Sequence, residues 1–251
     1  MGIQRFVRNK LNYLDAKKDY KFDMQKYKNM QSGDEFILDE KNNYPIYFDK
    51  YKQAGNLDSH YFLQDIYMAR KVIDSNPNHH FDIGSRVEGF ISHLLASGKI
   101  DVVTLLDIRP LSIEISGLEF IQTDATSLEN IPDNSIASLS SLHAIEHFGL
   151  GRYGDEIDPD AWKKALLSMQ RKIAPGGRLF LAVPVGTTEK VCFNAHRIFS
   201  PSTIRDTLSE LNLISFAYIH QYKIVESSFE DFQKNGGEYD CGLFVFQKGN
   251  V

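Results

Sequence analysis

From residue 79 onward the chain alternates between short apolar runs and amphipathic segments, and this alternation constrains the fold more than any other feature. "HFDIG", "DVVTLLDI", "LEFIQTDA", "IASLSSLHAI" and "GRLFLAVPV" read as strands. The second is continuous and β-branched, the pattern of a strand buried on both faces. Between them, "VEGFISHLLASGK" reads as a helix closed at Gly98. "PDAWKKALLSMQRKIA" puts Trp162, Ala165, Leu166, Met169 and Ile173 on one helical face before Pro175-Gly176-Gly177 stops it. "SPSTIRDTLSEL" reads as a further helix capped by Ser200 or Ser202. Strands that alternate with helices need crossover connections, and these produce a mostly parallel sheet covered on both faces. "LISFAYIH" and "YDCGLFVFQK" follow one another with no helix between, which predicts an antiparallel pair at one edge. The expected class is therefore α/β: a doubly wound, mostly parallel seven-stranded sheet with an antiparallel C-terminal strand.

Residues 59–75 form one more predicted helix, with Phe62, Ile66, Ala69 and Val72 at helical spacing, Ser59 as its cap and "NPNHH" as its breaker. Upstream, residues 1–58 are polar, rich in Tyr and Lys, and weakly periodic. The predicted division is an N-terminal extension, 1–58, and a main domain, 59–251. Net charge is −5, which argues against a protein that coats nucleic acid. The charge is uneven: residues 1–30 hold eight Lys/Arg against three Asp, leaving −10 for the rest. Such a basic arm can touch a membrane surface or an anionic carrier, although a solvated helical arm is the plainer reading. Cys192 and Cys241 have neither zinc spacing nor a CxxC partner and read as small core residues in a reducing cytoplasm. The first residues fit neither a secretory signal nor the myristoylation pattern. No run approaches the roughly 18 apolar residues that span a bilayer.

In open α/β sheets, ligands bind beyond the carboxyl ends of the strands. The first predicted strand ends in Asp82-Ile83-Gly84, the second in Asp107, 23 residues after Gly84, and the third in Asp124-Ala125. An acid at the second position suits two ribose hydroxyls. Asp124 could accept from an exocyclic adenine amine, with the Ala125 N–H facing a ring nitrogen. Any one acid is ordinary at a strand end; three together make a nucleoside-shaped constellation. Glu88 would repel a pyrophosphate at a helix N-terminus, whereas a ligand carrying an ammonium and a sulfonium tolerates it. S-adenosylmethionine is such a ligand.

These segments resemble the class I S-adenosylmethionine-dependent methyltransferases. "FDIGSRVEGF" resembles their first motif, "LLDIRP" the second-strand acid, "QTDA" the adenine-contacting motif, "SSLHAIEHFG" the fourth-strand motif, and "LLSMQRKIAPGGRLFLAVP" the helix, turn and strand that follow. The resemblance covers residues 78–248 and implies a Rossmann-like fold. It also implies S-adenosyl-L-methionine as cofactor, contacted by Asp82, Gly84, Ser85, Arg86, Asp107, Ile108, Asp124, Ala125 and Leu142. The usual motif carries glycines two, four and six residues after its acid; here Gly84 fits and the next, Gly89, falls at seven. More narrowly, "YFLQD", "DIGSR", "EHFGLGRYGD", "VPVG" and "FNAHRIFSP" resemble a little-studied family of unknown function met in bacterial surface-polysaccharide clusters.

Methyl transfer to a hydroxyl needs close positioning and a base. His143 and His147, with Glu146, are the candidate catalytic residues, since an imidazole titrates near working pH; Glu146 and His147 could instead only brace the loop. His143-Ala-Ile-Glu146-His147 matches the HxxEH peptidase pattern, but it stands at a strand end rather than on a helix. Some quinone-pathway members of the superfamily hold a metal in this segment, which raises His143, Glu146 and His147 as ligands; the reading adopted assigns no metal. Arg152, Tyr153, Asp155, His196 and Arg197 are candidates for contacting the acceptor, and Tyr61, Phe62 and Gln64 for covering the cofactor. The expected activity is O-methylation of a sugar hydroxyl on a surface glycan or its precursor. The alternatives are a catalytically silent methyltransferase-like module binding a nucleoside or a protein, and a nicotinamide-dependent oxidoreductase.

Overall fold

A computed structural model describes residues 2–32, 35–51 and 60–250. The chain divides into two compact units, Met1–Asn56 and Leu57–Val251. In the first, helix α1 (Gly2–Met30) is followed by single helical turns at Glu40–Asn42 and Asp49–Tyr51. The return segment is held to α1 by Lys50–Asp23 at 2.9 Å, by Lys28–Glu40, and by edge-on contacts of Tyr47 with Tyr13 and Tyr20. Among the described residues no helix is long and apolar enough to cross a membrane.

The second unit runs α2 (Tyr61–Asp74), β1 (His79–Ile83), α3 (Ser92–Ala96), β2 (Val102–Asp107), β3 (Leu118–Gln122), β4 (Ile136–Leu142), α4 (Ala161–Lys172), β5 (Ile173–Val185), β6 (Lys190–Cys192), β7 (His196–Ile198), α5 (Pro201–Thr207), β8 (Leu211–His220), β9 (Lys223–Glu226), α6 (Phe229–Asn235) and β10 (Asp240–Lys248). The main sheet has the order β3-β2-β1-β4-β5-β10-β8-β9, and β6 and β7 form a separate hairpin. Strands β3, β2, β1, β4 and β5 pair in parallel; β10 is antiparallel to both β5 and β8. The order reverses between β1 and β4, which places the crevice of a doubly wound sheet at their carboxyl ends.

The two-residue period of a strand separates two cores. Leu179, Leu181 and Val183 of β5 join Phe244 and Phe246 of β10, Leu166 and Met169 of α4 on one face. Phe180 and Ala182, with Leu243 and Val245, face Met68 and Val72 of α2 and Leu94 of α3 on the other.

The structure departs from the expectation of seven strands and no helix between the last two. An eighth strand, β9, pairs antiparallel with β8, and α6 follows it. The connecting turn places Gln221 and Tyr222 at φ of 47° and 61°, a conformation usually signalled by Asn or Gly. Helix α6 is capped by the Ser228 side chain, which accepts from Asp231 N, and its Phe229 and Phe232 rings pack edge-on against Phe216. Helix α2 begins at Tyr61 with His60 at the cap position; the expected cap, Ser59, lies outside the described residues. The helix expected from Val87 is a wider π turn, Val87–Ile91, leading into α3. A Cβ on Gly89 would come within 2.2 Å of the Asp65 carboxylate, so the displaced glycine makes room for α2.

Candidate functional site

The tip of β1 is a built turn. Gly84 has φ +68°, and a Cβ there would lie 3.0 Å from that of Ala144. Asp82, fully buried, accepts from Ser85 N at 2.9 Å, from Ser85 Oγ at 2.7 Å and from Ser140 Oγ. Ser85 Oγ in turn accepts from Leu142 N at 3.0 Å. On the same face of β1, the His80 ring bonds Ser138 Oγ at 2.7 Å and Ser140 Oγ at 2.8 Å. A polar file from His80 through Ser140, Asp82 and Ser85 to Leu142 N thus ties the turn to β4. Burial lowers His80 to about 3, and with neighbouring His79 keeps it neutral. Burial raises Asp82 to about 6 against the pull of its serine partners. Asp82 therefore shapes the turn from beneath rather than facing the cleft, while Ser85, Arg86 and Leu142 line it.

Beyond β1 and β2 lies a narrow apolar slot walled by Ile83, Leu106, Ile108, Ala125 and Phe148, with Asp107 at its side. It adjoins a wider cleft of about 450 Å³ reaching from Gly84 and Asp107 to His143, His147, Arg152 and Tyr153. Both Asp107 oxygens are engaged: Arg109 Nε donates to Oδ1 at 3.0 Å and Nη2 to Oδ2 at 2.7 Å. The Arg109 guanidinium also lies 4.6 Å over the Tyr153 ring. Asp124 is exposed, accepts from Thr126 N at 2.8 Å, and faces a neighbouring depression that shares Ile108, Ala125 and Asp155 with the slot.

The loop after β4 carries the titratable groups. His143, at φ +53°, bonds Glu146 Oε1 through Nδ1 at 2.6 Å, and its Nε2 stands 2.8 Å from His60 Nε2. His147 donates from Nδ1 to Ala195 O at 2.6 Å, which leaves the lone pair on Nε2. Burial disfavours the Glu146 anion, but the electrostatics and hydrogen bond of the adjoining His143 ring, then His147, outweigh it and hold the carboxyl below its ordinary range. Burial lowers His147 against the opposing pull of Glu146. Asp155 accepts from the backbone N–H groups of Gly149, Gly151 and Tyr153.

The model of the family described as "Caenorhabditis protein of unknown function, DUF268" matches residues 111–236. The chain belongs to this family. No curated protein matches the DUF268 chain. Solved structures share its fold at low identity. NodS, an N-methyltransferase from Bradyrhizobium japonicum in complex with S-adenosylhomocysteine, is 16% identical; the match covers 74% of this chain and 86% of that one, with a TM-score of 0.52. A Burkholderia thailandensis 1,6-didemethyltoxoflavin-N1-methyltransferase, with bound 1,6-didemethyltoxoflavin and S-adenosylhomocysteine, is 11% identical over 75% and 80%, at 0.55. The [4+2]-cyclase SpnF is 12% identical over 74% and 80%, at 0.54. At these identities the fold is what is shared: the Rossmann-like methyltransferase fold.

The family match spans Asp124, the loop after β4 and the β6–β7 hairpin, while Gly84 and Asp107 precede it. The DUF268 chain does not bring every expected residue to the cleft. Arg197 is buried, and its guanidinium donates to Phe148 O at 2.5 Å and Pro159 O at 3.3 Å, bracing the loop from outside. His196 packs on Tyr239 at 5.2 Å. Of the residues expected to cover the cofactor, Tyr61 and Gln64 line the cleft, and Phe62 is exposed. Arg109 and His60 were not expected at the site. Arg109 stands two residues after the acid it binds, where only the backbone direction decides whether it turns back. His60 faces His143 across 83 residues of sequence, a separation that no local pattern reveals.

Proposed function

We propose that this chain is an S-adenosylmethionine-dependent O-methyltransferase. The observation that carries the reading is the convergence of three strand tips on one nucleoside-shaped recess: bare backbone at Gly84, a carboxylate at Asp107 and an apolar slot between Ile108, Ala125 and Phe148. The slot suits an adenine ring, Asp107 suits the ribose hydroxyls once Arg109 swings away, and the turn at Gly84–Arg86 suits the ligand's charged tail. The S-adenosylhomocysteine bound in the NodS and toxoflavin-enzyme structures supports the same cofactor.

The bound cofactor supplies an electrophilic methyl on a sulfonium. The chain's part is to hold an acceptor hydroxyl in line with it and to take up the proton. His147 is best disposed as the base: its Nδ1 is committed to Ala195 O, so the Nε2 lone pair, 3.7 Å from Glu146 Oε1, can accept. His143 is held on both sides, by Glu146 and His60, and orients the loop. Arg152 and Tyr153 line the polar part of the cleft, where a sugar hydroxyl of a surface glycan or its precursor would lie. The basic residues of 1–30 suit contact with an anionic carrier at the cytoplasmic side of a membrane.

A second reading, a nucleoside- or partner-binding module without methyl transfer, is favoured by the Arg109 clamp on Asp107 and by a [4+2]-cyclase sharing the fold. Calorimetry with S-adenosylmethionine, S-adenosylhomocysteine and NADH tests the cofactor: the first two should bind and the third should not. Incubation with glycan extracts, read by mass spectrometry for a methyl-sized gain, tests the transfer. Binding without any methylated product would leave the module reading; no binding would overturn the proposal.

A further inference from the structure

We infer that His60, His143 and Cys241 form a binding site for one divalent transition-metal ion of the zinc class. The inference rests on this cluster alone and stands apart from the methyl-transfer reading. The three side chains come from the cap of α2, the residue after β4 and the start of β10, and their ligating atoms lie within 4.8 Å of one another. The two imidazole Nε2 atoms face each other at 2.8 Å, with the rings stacked at 4.6 Å. With metal–nitrogen bonds of about 2.0–2.1 Å and a metal–sulfur bond of about 2.3 Å, tetrahedral donors stand roughly 3.3–3.6 Å apart. The cluster therefore reaches that geometry by small rotations of three side chains.

A second observation points the same way. His143 Nδ1 is bonded to Glu146 Oε1 at 2.6 Å, which places the proton on Nδ1 and turns the Nε2 lone pair toward His60 and Cys241. A carboxylate behind a ligating histidine is the usual support of a metal site. Glu146 is 1% exposed, and its Oε2 has no hydrogen-bond partner among the described residues, so a nearby cation would offset a buried negative charge. Cys241 is fully buried, and among the described residues its Sγ hydrogen-bonds only to Gln64 Oε1, at 3.4 Å. A His60–His143 hydrogen bond alone would also account for the 2.8 Å contact, but it would not explain why Cys241 Sγ stands beside both rings. Two imidazoles and a thiolate prefer Zn²⁺ or Co²⁺ to Mg²⁺ or Ca²⁺. Three protein ligands leave a fourth position for an oxygen ligand, and His143 and Tyr61 also line the cleft.

The full-length protein, stripped with a chelator, would be titrated with Co²⁺ and followed by absorbance, then back-titrated with Zn²⁺. The expected result is one equivalent bound, with a thiolate-to-cobalt charge-transfer band that Zn²⁺ abolishes. Cys241→Ser should lose the band, and His60→Ala should weaken Zn²⁺ binding at least tenfold. A wild-type protein that is folded by circular dichroism yet gives no charge-transfer band, or binds Co²⁺ no more tightly than Cys241→Ser, overturns the site. If the variants do not fold, the wild-type spectrum decides alone.

Discussion

Arg109 occupies the carboxylate that a ribose would need, and removing it should tighten cofactor binding. Its guanidinium spans both Asp107 oxygens at 3.0 and 2.7 Å and rests 4.6 Å over Tyr153. The arginine side chain is half exposed, so water and salt screen the pair to about 0.2–1 kcal/mol. The exposed ring contact adds a similar amount, about 0.5–1 kcal/mol. Part of each survives ligand binding, so displacing the arginine costs about 0.5–1.4 kcal/mol. Arg109→Ala should then bind S-adenosylhomocysteine about two- to tenfold more tightly than the wild type by isothermal calorimetry. Raising the salt should tighten the wild type toward the variant, because it weakens the competitor. Asp107→Ala should move the other way, weakening binding by about 1.5–3 kcal/mol through the lost charged hydrogen bonds. If Arg109→Ala weakens binding, or leaves it unchanged while Asp107→Ala weakens it, the arginine belongs to the bound complex and the competition argument fails.

Three further outcomes are expected. Gly84→Ala should cost about 1–2 kcal/mol of stability, read as a lower urea midpoint, since φ is +68° and the new methyl would meet Ala144; an unchanged midpoint would show that the turn relaxes freely. His147→Ala should cut turnover by about 10²–10⁴ while cofactor affinity holds, and a matching loss of both would make the histidine structural. The pH dependence of stability should expose the file under β1. His80, at about 3 when folded against 6.5, binds its proton only when unfolded across that window, so stability falls on acidification. Asp82, at about 6 against 3.8, holds its proton only when folded, so its contribution is lost as pH rises from 3.8 through 6. The two slopes oppose each other. Asp82→Asn should therefore lose stability more steeply than the wild type between pH 6 and pH 4, and an equal slope would refute the shift.

The parallel strands and the acids at their tips were legible because hydrophobic runs and Asp spacing are local signals. Asp107 stands beside the slot, where strand order alone would put it. The structure makes a different use of Asp82: its strand face is interior, and His80, two residues earlier on the same face, already signalled a polar file inside the sheet. Strand β9 escaped notice because four residues with one partly covered side chain carry little pattern, and Gln221 and Tyr222 disguise the turn before it. The His60–His143–Cys241 cluster escaped because its members meet only after the sheet has closed. Their spacing in sequence is set by the length of the fold rather than by the chemistry of the site.

The Asp155 carboxylate fastens three backbone amides at once, and a Cβ on Gly149 would sit 1.8 Å from Asp158 O. The stretch between those residues is consequently a cassette with a single hub, anchored at both ends to the scaffold. Under the proposed methyl transfer, acceptor preference would change by exchanging that cassette whole, or by altering the cleft-lining Arg152 and Tyr153. Insertions between hub and rim would detach it from the sheet.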